Sequence, residues 1–141
     1  MTEKMPMPET KAFIDTNVFL YLLSSDIEKA DQAESVLQSG GIISVQVLNE
    51  LVNVARRQLA LPWEEINEFL YLIRSLCLTE PLTLETHSKG VYIAERYGFS
   101  VYDAMIVAAA LVAGCQVLYS EDMQDGQQID YQLQISNPFS K

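Results

Sequence analysis

Apolar and polar positions alternate in blocks along the chain, and the blocks change period from strand-like to helix-like several times. An apolar run, Ala12 to Ile14, meets Asp15, then Thr16 and Asn17, and then a new apolar segment at helical spacing. That pattern predicts a buried strand ending at Asp15 and turning directly into a short helix, Val18 to Leu23, which stops at Ser24-Ser25. Ser25-Asp26-Ile27-Glu28 has the form of a capping box, with Ile27, Ala30, Ala33 and Leu37 following at helical spacing. Ser39-Gly40-Gly41 supplies the residues a left-handed helix end wants. Ile42-Ile43 reads as a short buried strand, and Ser44 as the cap of a helix over about Val45 to Leu59.

Leu61-Pro62-Trp63-Glu64-Glu65 starts another helix, with Pro62 in its first turn and a core stripe of Ile66, Phe69, Leu70, Ile73 and Leu76. Pro81 to Leu84 is a brief extended piece before a helix from about Thr86 to Tyr97, closed by Gly98. Ser100 caps a nearly all-apolar helix through Ala113, ended by Gly114. Val117-Leu118-Tyr119 and Leu133-Gln134-Ile135 complete the strands. Strands and helices therefore alternate, with more helix than strand. Such alternation predicts one α/β domain, a mainly parallel sheet with helices on both faces.

Length and composition agree with that picture: 141 residues, 49% hydrophobic and 20% charged, suit one globular domain with a real core. No apolar run is long enough to cross a bilayer, so no membrane is expected. Residues 1–10 carry charges and two prolines but no apolar core of a signal peptide, and read as a flexible lead-in. Cys77 and Cys115 sit in apolar, helix-like surroundings and read as buried free thiols, which suits a cytoplasmic location.

Charge changes the picture more. Nine Lys and Arg face nineteen Asp and Glu, a net charge of −10. Phosphate neutralisation drives nucleic-acid binding, so composition alone leans against a polyanion partner. A metal site among the acids, or a clustered basic edge, would restore local positive charge.

Four acids stand out. Asp15 lies at the carboxyl end of a strand beside a helix amino end, where open α/β sheets place their ligands; it serves equally as that helix's cap. Glu50 shares one helix face with Gln46, Asn49, Asn53 and Arg57, which is either a solvated face or the wall of a polar cleft. Asp103 fits a capping box with Ser100, yet it is the only charge on a helix that is otherwise apolar all round, so its carboxylate arrives at the mouth of the sheet. Asp122, in Ser120-Glu121-Asp122, repeats the Asp15 arrangement after the strand Val117 to Tyr119; Glu121 and Asp125 read as solvent-loop residues. The lone His87 has no local partner and reads as a surface or capping residue. If the acids converge, like charges raise one another's pKa unless a cation compensates. Oxygen donors without paired His or Cys then point to Mg²⁺ or Mn²⁺, which suits phosphate binding and water activation.

The order Phe13-Ile14-Asp15-Thr16-Asn17, then Glu50 in a helix, then Tyr102-Asp103-Ala104 opening an apolar helix, then Ser120-Glu121-Asp122 after a strand, resembles the PIN-domain nucleases. Within them it is similar to the VapC-type toxins of bacterial toxin–antitoxin modules, over about Lys11 to Phe139. The resemblance implies a three-layer α/β/α sandwich for residues 11–141 and an Mg²⁺- or Mn²⁺-dependent endoribonuclease. It further implies RNA as substrate, a homodimer, and an antitoxin partner that wraps the toxin. By position, Asp15 and Asp103 resemble the principal metal ligands, and Glu50 and Asp122 the remaining acids of the catalytic set. Thr16, Asn17 and Ser120 resemble the supporting polar residues. Arg56 and Arg57 are candidate phosphate contacts. Two other readings compete: a PIN-like module used only for binding, and a receiver-type phospho-signalling domain. The latter wants paired acids after the first strand and a late Lys; Thr16 and Asn17 stand at the first place, and no Lys lies between Val91 and Ser140.

Overall fold

A computed structural model describes residues 11–140; the lead-in expected at residues 1–10 lies outside the described residues. The first strand, β1 (Ala12–Ile14), is followed immediately by helix α1 (Thr16–Leu20), whose last turn tightens into a 3-10 turn over Tyr21–Leu23. The remaining elements in order are α2 (Ile27–Leu37), β2 (Gly41–Ser44), α3 (Val45–Arg57), α4 (Trp63–Leu76), β3 (Cys77–Glu80), α5 (Leu84–Tyr97), α6 (Val101–Val112), β4 (Val117–Tyr119), β5 (Gln128–Ile129) and β6 (Leu133–Ser136). The strands form one sheet in the order β3-β2-β1-β4-β6-β5, parallel throughout except for the antiparallel β5–β6 pair. Parallel neighbours need crossovers, and the helices supply them, giving the three-layer α/β/α sandwich.

The core explains the register. Phe13 on β1 pairs with Ile42 on β2 and with Leu118 on β4. All three are buried, and Ile135 of β6 continues the row beside Leu118. Onto the sheet packs α6, in which every residue from Ala104 to Ala110 is buried, as an all-apolar helix must be. The chain runs β1, β2, β3 in one direction and returns to β4 and β6 on the other side of β1. The strand order therefore reverses between β1 and β4, and in such sheets that reversal opens a crevice at the carboxyl ends of the strands.

Several expected details move. α1 begins at Thr16, because Asp15 already has the extended backbone of a cap. The capping position before α2 is Asp26, which accepts from Lys29 N at 3.2 Å, whereas Ser25 lies one residue too early. α3 stops at Arg57, and Pro62 is the residue before α4 rather than within its first turn. In the α4 stripe Ile66, Phe69 and Ile73 are buried, but Leu70 is half-buried and Leu76 exposed. The extended piece at 81–84 is not a strand; the strand lies at Cys77–Glu80 and pairs with β2. Cys77 therefore belongs to a strand, and Cys115 to the turn after α6; both are buried free thiols, and burial pushes each thiol up to about 11. β5 has only two residues and no apolar run of its own. Ser44 holds the capping position of α3 by its backbone, yet its hydroxyl makes no capping bond and is buried with no partner among the described residues. His87 is exposed on α5.

Candidate active site

The crevice at the β1–β4 reversal is where the acids gather. Asp15 extends β1 by one residue, its amide donating to Tyr119 O at 3.0 Å, and then caps α1. Its side chain is 4% exposed and fully engaged. Oδ1 accepts from Thr16 N at 2.7 Å; Oδ2 accepts from Ser120 Oγ at 2.8 Å and from Asn17 Nδ2 at 3.2 Å. The capping role of Asp15 is therefore real: Oδ1 caps α1, while Oδ2 faces Ser120, the residue just after β4.

Thr16 and Asn17 carry the network outward. Thr16 Oγ1 donates to Glu50 Oε2 at 2.7 Å, and Gln46 Nε2 donates to the other Glu50 oxygen at 3.2 Å. Glu50 thus turns towards α1 instead of lying on a free solvated face. The Asn17 carboxamide spans the crevice: Nδ2 also donates to Asp122 Oδ2 at 3.1 Å, and Oδ1 accepts from Glu121 N at 3.1 Å. Ser120, fully buried, accepts from Asp122 N at 3.3 Å. Asp103 enters from the amino end of α6, where Ser100 Oγ accepts from its amide at 3.2 Å.

Electrostatics tie the four acids together. Burial pushes the Asp15 carboxyl up from its ordinary 3.8 to about 6. That value is the balance of burial and the charges of Glu50 and Asp103, which raise it, against the bonds from Ser120 and Thr16, which hold it down. Asp103 is also raised, first by burial and then by the charge of Asp122, against the hydrogen bond at Ser100. A half-buried set of mutually repelling oxygens is a site that favours protons or a cation. Among the described residues no three His, Cys, Asp or Glu side chains lie close enough together to chelate an ion by themselves. Magnesium keeps several waters and is commonly held through one or two carboxylates, so oxygen donors alone, without His or Cys, still fit Mg²⁺ or Mn²⁺. A cleft of about 850 Å³ lined by Lys11, Ser39, Arg74 and Cys77 contains none of the four acids.

The two arginines separate. Arg56 Nη1 donates to Leu61 O at 3.1 Å and its guanidinium lies 5.0 Å from the centre of the Trp63 ring, so it fastens the turn between α3 and α4. Arg57 is exposed and has no partner among the described residues. Arg56→Ala is expected to lower stability by about 1 kcal/mol, the loss of a charged hydrogen bond and a ring contact. Arg57→Ala should leave stability unchanged, and urea melts of the two variants check the difference.

The residues missed from sequence are Gln46 as a support for Glu50, and the group Tyr21, Lys29 and Glu121. Glu121 is not a free loop acid: it accepts from Tyr21 Oη at 2.5 Å and pairs with Lys29 Nζ at 3.0 Å. Gln46 stands four residues before Glu50 on the same helix face, so its spacing is readable, whereas no spacing signal links Tyr21 and Lys29 to Glu121, 100 and 92 positions away.

Sequence comparison decides the family. The PIN domain family model matches residues 12–125. The chain belongs to the PIN domain family. No curated protein matches it by sequence. Solved structures share its fold at low identity. A toxin–antitoxin complex from Klebsiella pneumoniae matches with a TM-score of 0.72 and 19% identity, covering 93% of this chain and 100% of that one. DNA-bound VapBC from Salmonella typhimurium matches with a TM-score of 0.69 and 21% identity, over 92% of this chain and 99% of that one. VapC20 of Mycobacterium tuberculosis, a toxin that cleaves the sarcin–ricin loop, matches with a TM-score of 0.65 and 18% identity, over 79% of this chain and 90% of that one. No helix among the described residues of this PIN domain is long and apolar enough to cross a membrane.

Proposed function

We propose that this PIN-domain protein is an Mg²⁺- or Mn²⁺-dependent endoribonuclease that serves as the toxin of a toxin–antitoxin pair. The observation that carries the reading is Asp15. It is a buried carboxylate at the strand-order reversal, raised to about 6, chiefly by burial and in smaller part by the charges of Glu50 and Asp103. A purely structural cap would gain nothing from that crowding, whereas a cation-binding carboxylate needs it. Further support comes from the fold shared with toxin–antitoxin proteins and with a toxin that cleaves an RNA loop.

In this reading Asp15 and Asp103 would hold the ion, and Glu50 and Asp122 would orient the attacking water. A bound Mg²⁺ or Mn²⁺ supplies phosphate neutralisation and an activated water. Thr16, Asn17 and Ser120 fix the carboxylates so that oxygens, not rotamers, meet the substrate. Arg57 contacts phosphate from the end of α3. The charge of −10 makes unaided RNA binding weak, so substrate affinity depends on the ion as well as on arginine. An antitoxin and a second copy of the chain, in the cytoplasm, complete the proposed setting.

The test is cleavage of a mixed RNA pool with Mg²⁺ or Mn²⁺, against EDTA and against Asp15→Asn, Asp103→Asn protein. Cleavage that needs metal and is lost in the variant is the expected result. Folded, metal-loaded protein that leaves the pool intact would favour a PIN module used for binding only. Equal cleavage by wild type and variant would move the active site elsewhere.

A further inference from the structure

Two acids follow Ser120 in sequence, and the structure treats them oppositely. Asp122 is exposed at the crevice, where Asn17 holds it. Glu121 turns the other way, into a group built from three separate parts of the chain. Tyr21 Oη donates to Glu121 Oε1 at 2.5 Å, and Lys29 Nζ donates to Glu121 Oε2 and to Tyr21 Oη, each at 3.0 Å. The Lys29 ammonium also lies 4.6 Å from the centre of the Tyr21 ring and 5.7 Å from that of Phe139, and the two rings pack at 4.6 Å. The pair is about one-third exposed on the lysine side and one-quarter on the glutamate side, so it is more than a loose surface contact.

We propose that Tyr21, Lys29 and Glu121 form a positioning clamp that fixes the segment carrying Asp122 at the mouth of the crevice and keeps Glu121 out of it. Gripping the Glu121 side chain fixes its backbone, whose amide donates to Asn17 Oδ1. Asn17 in turn reaches Asp122 and Asp15 through the other end of the same carboxamide. A free Glu121 would be a fifth acid able to swing towards a site already strained by like charges. The clamp therefore selects which of two adjacent acids belongs to the site. The consequence for metal affinity rests on the metal-dependent reading above; the ordering of the segment does not.

The experiment uses Lys29→Glu, Glu121→Lys, the double swap of both, and Tyr21→Phe, which keeps the ring and deletes only the hydroxyl. Amide exchange at Glu121, Asp122 and Met123 is followed by NMR, and Mn²⁺ alone is titrated into each protein. Each single charge reversal is expected to speed exchange in that segment and weaken Mn²⁺ binding about ten-fold, and the double swap to recover most of both. The two reversals change charge with opposite signs, so weakening in both is the mark of lost position. If Mn²⁺ affinity instead rises in one and falls in the other, Lys29 and Glu121 act through bulk charge and the clamp is overturned. Unchanged exchange in all variants, Tyr21→Phe included, overturns it too, as does faster exchange with unchanged Mn²⁺ affinity. Wild-type protein that binds no Mn²⁺ removes the metal reading and the clamp's role in affinity together, a result distinct from loss confined to the variants.

Discussion

Replacing Asp15 with Asn is expected to stabilise the metal-free fold at neutral pH while abolishing metal-dependent RNA cleavage. The folded state raises the Asp15 carboxyl from 3.8 to about 6, chiefly by burial, so the folded protein holds this proton more tightly than the unfolded chain. The contribution of Asp15 to stability is thus fully present below pH 4 and is lost as pH rises through 6. At pH 7 the buried charge costs at most about 3 kcal/mol, since each pH unit between the folded and unfolded values is worth roughly 1.4 kcal/mol. The asparagine side chain carries no charge, but with its oxygen kept on the Thr16 amide its Nδ2 stands in the place of Oδ2 and cannot accept from Ser120 or Asn17, which offsets about 1 kcal/mol of the gain. Urea melts in EDTA should show the variant more stable than wild type at pH 7, and no longer so at pH 4. Wild type the more stable at both pH values would mean that the Asp15 charge is not the burden its burial implies. A residue whose removal strengthens the fold and ends the activity is one kept for its chemistry.

The second large effect lies two residues upstream. Phe13→Ala should lower stability by about 3–5 kcal/mol, a sizeable part of the ~5–15 kcal/mol that holds a domain of this size. Phe13 is fully buried on the central strand, between Ile42 and Leu118 on its two neighbours, so no single side-chain movement can refill the space. Phe13→Leu should cost far less, about 1 kcal/mol, because most of the volume remains. The midpoint of a urea transition reads both. A loss under about 1 kcal/mol for the Ala variant would place β1 outside the tightly packed layer. Since β1 delivers Asp15, the same substitution is expected to lower Mn²⁺ affinity wherever the protein is still folded.

Much of this is legible in the chain itself. The β1–α1 junction is written as an apolar run, an acid and a helix, and the structure changes that reading only by starting the helix at Thr16. α6 is equally plain, because an apolar stretch with a serine and an acid at its head leaves few alternatives. β3 is not legible: Leu76 passes into Cys77 with no Gly or Pro between helix and strand, and an edge strand with an exposed Leu78 has no alternation to read. The capping of α2 slips by one residue because Ser25 and Asp26 are both good caps and only backbone angles choose between them. The acids can be picked out from sequence, and Thr16, Asn17 and Ser120 by the family resemblance, but which support meets which acid cannot. Glu50 engages Thr16 across 34 positions, and Glu121 engages Tyr21 across 100, distances over which local pattern carries no signal.

The central place of β1 has a consequence during synthesis. Its second neighbour, β4, and the groups that complete the crevice, Ser120 and Asp122, are translated long after Asp15, since the Ser120–Asp15 bond spans 105 positions. A ribosome that has made β1, β2 and β3 has made half a sheet in which β1 is left as a second bare edge, and an acid with no serine beside it. Contacts of such long range are among the last to form. A ribonuclease of the kind proposed is thereby inert at least until the ribosome has passed Asp122.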